Sequence, residues 1–404
     1  MKTVPIEVQT FPAKGATILT HELTTNGILY ADVALDYSKV LPEDIEILSL
    51  FSRMVLETGT ADLDEAELQR RIGSETGGIS TSFFSEAKAP ATPGTTADMD
   101  DPILYFIFRG KATKERAAEL FELMSTALTT CRLDNQKRAV ELLKESKIRR
   151  ESSVVTSGHS YASTRLAAQH SLLGLLNEKM GGITAVQAAG RLLTEAESDW
   201  PKFQARLERV RAAIAQQGDV VINLTGSADV LAAAAGPTDK FINDLAPASA
   251  STNSLVASFD RSQLIPAVNE GFSMASQVNY VAKSCPIISP NEKVKSSFSV
   301  ASRYLSTGYL WDNVRVIGGA YGGFSRFSTD SGRVTFLSYR DPGAANTLEI
   351  YDKAADAMTE AELTDEDILQ AVIGAVGDMD SPQMPDMRGF SSMVRYLTGT
   401  TDQE

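Results

Sequence analysis

Few residues in this chain are suited to hydrolytic chemistry. Its three histidines are His21, His159 and His170. A catalytic zinc site takes about three protein ligands and keeps one position open for water. His21-Glu22 opens like an H-E-x-x-H motif, but position 25 is Thr25. The flanking residues also alternate as a strand, whereas that motif needs both histidines on one helical face. His159 and His170 fall on one face of a long helix but about three turns apart, and no acidic residue completes a cluster. No catalytic metal site is therefore expected in this chain. Ser157-Gly158-His159-Ser160 is not the G-x-S-x-G elbow of a serine hydrolase. Cys131 and Cys285 form no C-x-x-C pair, which argues against a thiolate zinc site or a disulfide framework and fits a reducing compartment.

The segment from Arg315 to Gly323 carries more chemical promise. Its run Gly318-Gly319-Ala320-Tyr321-Gly322-Gly323 lacks the Lys-Ser/Thr and the helix N-terminus of a phosphate loop. Gly318, Gly319, Gly322 and Gly323 would let another backbone approach closely, as an added peptide strand requires. Arg315 can donate to a peptide carbonyl without losing its charge. The Tyr321 hydroxyl can donate to a developing oxyanion. A plainer reading stands beside this one: Arg315 ends a helix, where a cation suits the dipole, and Tyr321 fills core.

The elements that must position these residues belong to a chain of 404 residues, 43% hydrophobic, enough for two or three domains. Lys+Arg number 38 and Asp+Glu 52, a net charge of −14. Nucleic-acid binding needs clustered cations, and Lys144-Glu145-Ser146-Lys147-Ile148-Arg149-Arg150 reads instead as one solvated helical face. The acidity would attract basic peptides, or it serves solubility alone. No apolar run approaches the roughly 20 residues that span a bilayer. Met1-Lys2-Thr3-Val4-Pro5 has neither a signal-peptide core nor an Arg-rich presequence, so no membrane or targeting segment is expected here.

Residues 16–37 predict two strands joined as a hairpin at Thr25-Asn26-Gly27. A helix is predicted from Pro42 and a second from Asp62, with Glu65 completing a cap. Then come strands at 79–84 and 103–109 around a polar loop, a helix at 113–130, and further helices to about 217. A buried strand at 220–224 and a short helix at 238–245 follow. Residues 247–270, rich in Ser, Ala and Pro, read as a linker.

Beyond the linker, strands are expected at 274–282, 324–327 and 334–339. Helices are expected at 294–306, 309–316 and 342–358. A last helix from Thr364 should bury Ile368, Leu369, Val372, Ile373 and Val376. Both halves thus run strand, helix, helix, Gly-Gly, strand, strand, helix, helix, with Gly77-Gly78-Ile79 answering Gly322-Gly323-Phe324. The expectation is an α+β fold of two homologous modules, each an antiparallel sheet with helices packed on one face. They would span residues 1–246 and 271–404, joined by 247–270, with the second shortened and lacking C-terminal elements.

Leu310-Trp311-Asp312-Asn313-Val314-Arg315-Val316-Ile317-Gly318-Gly319-Ala320-Tyr321-Gly322-Gly323-Phe324 resembles the C-terminal half of presequence proteases, which belong to the pitrilysin/insulinase group of zinc metallopeptidases. Phe336–Pro342, Gln277–Val281 and Asp378–Pro382 are similar to the same family, as are Leu56–Thr60, Thr76–Ser80 and Glu178–Gly182. The resemblance covers nearly the whole chain. It implies four related α+β domains enclosing a peptide chamber, of which this chain would be the third and fourth.

The family's zinc motif H-x-x-E-H lies in the N-terminal half, and no such motif occurs here. The resemblance therefore implies zinc in the complete enzyme, none in this chain, and a chain inactive alone. An arginine and a tyrosine that bind the substrate backbone and stabilise the tetrahedral intermediate map onto Arg315 and Tyr321. The implied partners are the N-terminal half of the same enzyme and unfolded, basic peptides. Those peptides are cleaved targeting peptides in the mitochondrial matrix or plastid stroma. The alternative is a non-catalytic interaction or scaffold subunit of a pitrilysin-type complex.

Overall fold

The computed structural model describes residues 4–249, 253–290, 292–379 and 382–401. Six strands form the larger sheet: β1 (Glu7–Phe11), β2 (Ala16–Glu22), β3 (Ile28–Asp36), β4 (Ile79–Ala87), β5 (Pro102–Thr113) and β6 (Val220–Gly226), in the order β1-β2-β6-β3-β5-β4. Three more form a second sheet: β7 (Ala282–Pro286), β8 (Gly322–Ser328) and β9 (Arg333–Tyr339), in the order β7-β9-β8. The helices of the first part are α1 (Leu48–Glu57), α2 (Glu65–Glu75), α3 (Ala117–Thr130), α4 (Gln136–Ala167), α5 (Leu172–Gly181), α6 (Ile183–Ser198), α7 (Trp200–Ile214) and α8 (Ala228–Asp244). Those of the second are α9 (Ser297–Thr307), α10 (Ala344–Asp352), α11 (Ala354–Glu360), α12 (Asp365–Met379) and α13 (Pro385–Thr398).

The α+β architecture is as expected, and one pattern repeats. In each part a strand is followed by helices and then by a Gly-Gly joint and a hairpin. The third strand lies between the other two, giving β3-β5-β4 and β7-β9-β8.

Several expectations are corrected. Asn26 and Gly27 do turn, both with positive φ, but β2 and β3 are not paired with each other. β6 lies between them, parallel to β2 and antiparallel to β3. Its run Val220-Val221-Ile222-Asn223-Leu224 is buried on both faces, which suits a central strand. The first sheet is therefore not purely antiparallel. Nor are its helices confined to one face. Leu29, Ala31, Val33 and Leu35 enter the main core, while Leu19, Ala34, Ile107 and Val221 point to the opposite face and are covered by Met393, Phe390 and Leu397 of α13.

α2 begins three residues later than predicted, capped by Asp64, whose carboxylate accepts the Glu67 N–H at 2.8 Å. Residues 274–281 are outside the strands, and β7 starts at Ala282. Thr364 does cap α12, exchanging hydrogen bonds with Asp367. The stripe it was expected to bury is exposed, however: Ile368, Leu369, Val372, Ile373 and Val376 all face outward. Of the Asp378–Pro382 motif, Asp380 and Ser381 lie outside the described residues.

Beneath α13 a polar ladder crosses the sheet. Arg109 Nε donates to Asp32 at 2.7 Å, Asn223 Nδ2 donates to the other Asp32 oxygen at 2.9 Å, and His21 Nε2 lies 2.8 Å from Asn223 Oδ1. The Phe390 ring covers the Arg109 guanidinium at 3.9 Å. Burial raises the Asp32 carboxyl above its ordinary value, and Arg109 opposes that rise.

The two parts meet where α4 kinks at Ser157. The Tyr280 ring fills the space beside Gly158, and its hydroxyl donates to the Val155 carbonyl. The His159 ring stands edge-on to Tyr339 at 5.1 Å, and Arg333 Nη2 donates to His170 Nε2 at 2.8 Å. A Cβ at Gly158 would lie 2.2 Å from Tyr280 Cδ2 and 2.6 Å from its Cγ, near the fixed root of the ring. Gly158→Ala should therefore cost about 1–3 kcal/mol in chemical denaturation and loosen this contact, seen as faster amide exchange at residues 279–282.

Candidate functional site

Trp311–Ile317 forms one π-helical turn after α9, and β8 starts five residues later. Gly323 lets turn and strand touch, and Gly318 lets the turn close on itself. A Cβ on Gly323 would stand 2.8 Å from Val314 Cβ, and one on Gly318 would stand 2.6 Å from the Val314 carbonyl oxygen. Gly319 has φ +79°, a conformation open to glycine at little cost. At Gly322 the Phe324 ring lies where a side chain would go. The room left by Gly318, Gly322 and Gly323 is thus used by the chain's own atoms. This gives these glycines a packing reason distinct from approach of a substrate backbone.

Val314 and Ala320 are buried in the second core with Leu310, Phe336 and Tyr351. Their burial turns the intervening side chains outward. Arg315 lies with its guanidinium carbon 4.1 Å from the Trp311 ring centre and 5.9 Å from that of Tyr321. No carboxylate engages it among the described residues. An arginine with no counter-ion in a chain of net charge −14, held by aromatic faces, keeps all its donors for another molecule.

Tyr321 is 67% exposed, so the core-filling reading does not apply to it. Its backbone N–H donates to the Tyr339 carbonyl at 2.9 Å, and its ring meets Tyr339 edge-on at 6.2 Å, which fixes the root of the side chain and, among the described residues, leaves the hydroxyl without a partner. The structure thus brings Arg315 and Tyr321 together on one rim. Sequence reasoning gave no role to Trp311, Val316 or Ile317. The last two are 64% and 77% exposed beside Arg315. The signal for Trp311 was its place four residues before Arg315, one helical turn away.

The three histidines are dispersed. His21 is fully buried between Asn223 and the Pro5 carbonyl, His170 accepts from Arg333, and His159 lies against Tyr280 and Tyr339. Among the described residues, no three His, Cys, Asp or Glu side chains come together to hold a metal ion. Cys131 is buried, and burial pushes its thiol up to about 11, away from nucleophilic use.

Two family models match the chain. One describes the region associated with peptidase family M16, subgroup C, and covers residues 1–192; the other, described as "PreP C-terminal domain", covers 269–404. Presequence protease 1, chloroplastic/mitochondrial, of Arabidopsis thaliana is 36% identical over 99% of this chain, which covers 36% of that protein. The chain spans only 36% to 38% of the length of the first curated relatives it matches. Among solved structures, a conserved protein from Enterococcus faecalis superposes with a TM-score of 0.66 at 15% identity, covering 99% of this chain and 90% of that one. A peptidase M16 inactive domain from Pseudomonas fluorescens gives 0.61 at 15% identity, with 98% and 89% covered. These likenesses show an M16-type fold.

The histidines at the contact between the two parts yield a pH test. His159 is held below its ordinary 6.5 by burial and then by Arg326, and His170 by burial and then by Arg333 and Arg261. The folded state resists protonation while the unfolded chain accepts it near 6.5, so this stability is complete above that value and is lost as pH falls from it towards the lower folded-state values. The urea midpoint should drop between pH 7.5 and 5.5, and the drop should shrink in a His159→Gln/His170→Gln variant. An identical slope in the variant would exclude these two groups.

Proposed function

The chain belongs to the presequence-protease group of the M16 peptidases, as its C-terminal half, and on that premise we propose that it forms one wall of a peptide chamber and presents Arg315 and Tyr321 to the reacting bond. Arg315 donates to the carbonyl of the bound peptide. Tyr321 donates its hydroxyl to the oxyanion that develops as that carbonyl is attacked. Both groups are pre-positioned, so they need little reorganisation when charge develops. The observation that carries this reading is the Arg315 guanidinium, which meets no carboxylate among the described residues, stacked on Trp311 and adjoining an exposed tyrosine.

Zinc in the complete enzyme is held by the N-terminal half, the partner in this reading. The residues of this chain are assigned only peptide binding and charge stabilisation. The substrates are unfolded peptides, cleaved targeting peptides among them. Their positive charge suits a wall of net charge −14. The compartment is the mitochondrial matrix or plastid stroma. The division into modules 1–246 and 271–404 is part of the same reading, as third and fourth domains, with the α13 helix of the second reaching back onto the sheet of the first.

In the assembled enzyme, Arg315→Ala and Tyr321→Phe should each lower kcat by about 10²–10³-fold with zinc content unchanged. Normal turnover in both, with intact assembly, would make the chain a scaffold instead. Trp311→Ala should lower kcat about 10-fold by freeing Arg315, while Trp311→Phe keeps most of the activity because a ring still backs the guanidinium. Equal losses in the two Trp311 variants would mean that the ring does not act through Arg315.

A further inference from the structure

The larger sheet ends at β4, which pairs with β5 on one side only. Among the described residues, nothing bonds the N–H and C=O groups on the free side of residues 79–87. Proteins usually guard such an edge with lysine, proline or a bulge. Ile79-Ser80-Thr81-Ser82-Phe83-Phe84-Ser85-Glu86-Ala87 has no lysine or proline, carries one charge, and pairs with β5 in unbroken register.

The second sheet treats its equivalent edge differently. There Ser306 of α9 accepts the Ser325 N–H at 2.8 Å and donates to the Ser325 carbonyl at 3.1 Å, closing the middle of β8. At the matching place on β4, Thr81 Oγ1 donates to the Ser52 carbonyl and Ser52 Oγ to Thr81 Oγ1, so side chains bond and the β4 main chain stays free.

A cavity of about 340 Å³ opens beside this edge, lined by Ser49, Ser52, Phe83, Asn177, Met180 and Gly181. Side chains of a strand laid along β4 would project alternately to the two faces, and those on the α1 and α5 side would meet this cavity. Phe83 and Met180 give it apolar walls. Glu86 lies near the far end of β4 with Asp330 close enough for their charges to interact. A second copy would add another whole-chain charge of −14, whereas a cationic segment is attracted, with its cations on the face away from the cavity, where Arg150 already donates to Ser49 Oγ and the Met180 carbonyl.

We propose that the β4 edge and its cavity form a second peptide-binding site, which takes an extended cationic peptide by strand addition and seats one apolar side chain between Phe83 and Met180. The site uses none of the residues assigned to catalysis. It would hold a long peptide at a point remote in sequence from Arg315.

The test uses the 404-residue chain and a fluorescein-labelled, unstructured peptide of alternating arginine and valine. Binding is read by anisotropy and located by hydrogen exchange. Exchange at residues 79–87 should slow on binding. Asn177→Trp fills the cavity mouth and Ser82→Lys supplies the missing guard charge. Both positions are exposed, so thermal melts should be unchanged, while affinity falls about 10-fold in each.

Unchanged affinity in both edge variants would overturn the inference, as would absent binding or slowed exchange confined to residues 311–323. Slowed exchange at β4 that tracks dimer formation without peptide would assign the edge to a second copy and overturn it too. Slowed exchange confined to residues 311–323 would end this inference while supporting the catalytic reading. The two proposals therefore fail separately.

Discussion

The contact of the Trp311–Ile317 turn with β8 is the constraint on which the candidate site depends. It exists because Gly323 has no Cβ at a point 2.8 Å from Val314 Cβ. With the two segments in contact, Val314 and Ala320 become core residues beside Leu310 and Phe336. Burying a valine is worth about 1.5–3 kcal/mol, enough to hold one turn in a non-α geometry. Arg315 and Tyr321 then have no inward course, and each flanks a buried neighbour on the same rim. Packing and chemistry are set by the same few atoms.

The two parts are joined by two reciprocal contacts, one of which lies behind the rim. α4 of the first part reaches the second sheet at Gly158 and His159, where Tyr280 and Tyr339 receive it. α13 of the second part returns to cover the first sheet through Met393 and Phe390. The Tyr339 that meets His159 also meets Tyr321, so the contact between the parts and the candidate site share a side chain. Under α13 the buried Asp32 is committed to Arg109 and Asn223. Removing one member of such a pair leaves a charge without a partner, which is why polar residues under a helix pin its position.

Much of this was legible in the residues, for identifiable reasons. Strict alternation marked β3, and a short apolar run marked β6, because strand period is a local property. That β6 inserts between β2 and β3 was not legible, since the partner lies some 190 residues away and a turn signal at Asn26-Gly27 does not say which strands pair. The stripe on α12 was legible as a stripe but not as an exposed one: periodicity gives the sides of a helix, not what covers them. α8 was found only in its second half because Ala232–Ala235 form helix without apolar periodicity. Glu178–Gly182 was noticed only by resemblance. Its physical reason is that Glu178 is fully buried, caps α6 through the Thr184 N–H, and places Oε2 1.8 Å from where a Gly182 Cβ would be. Arg315 and Tyr321 were legible as chemistry, and their aromatic support was not.

The central claim is that catalysis requires a metal-bearing half outside this polypeptide, with this chain contributing the opposing wall. Peptide hydrolysis measured with the chain alone and after mixing with the N-terminal half, zinc being quantified in each sample, tests it most directly. The account predicts no turnover and no bound zinc in the chain alone, and recovery of both on mixing. Stoichiometric zinc in the isolated chain, with hydrolysis abolished by a chelator, would contradict it.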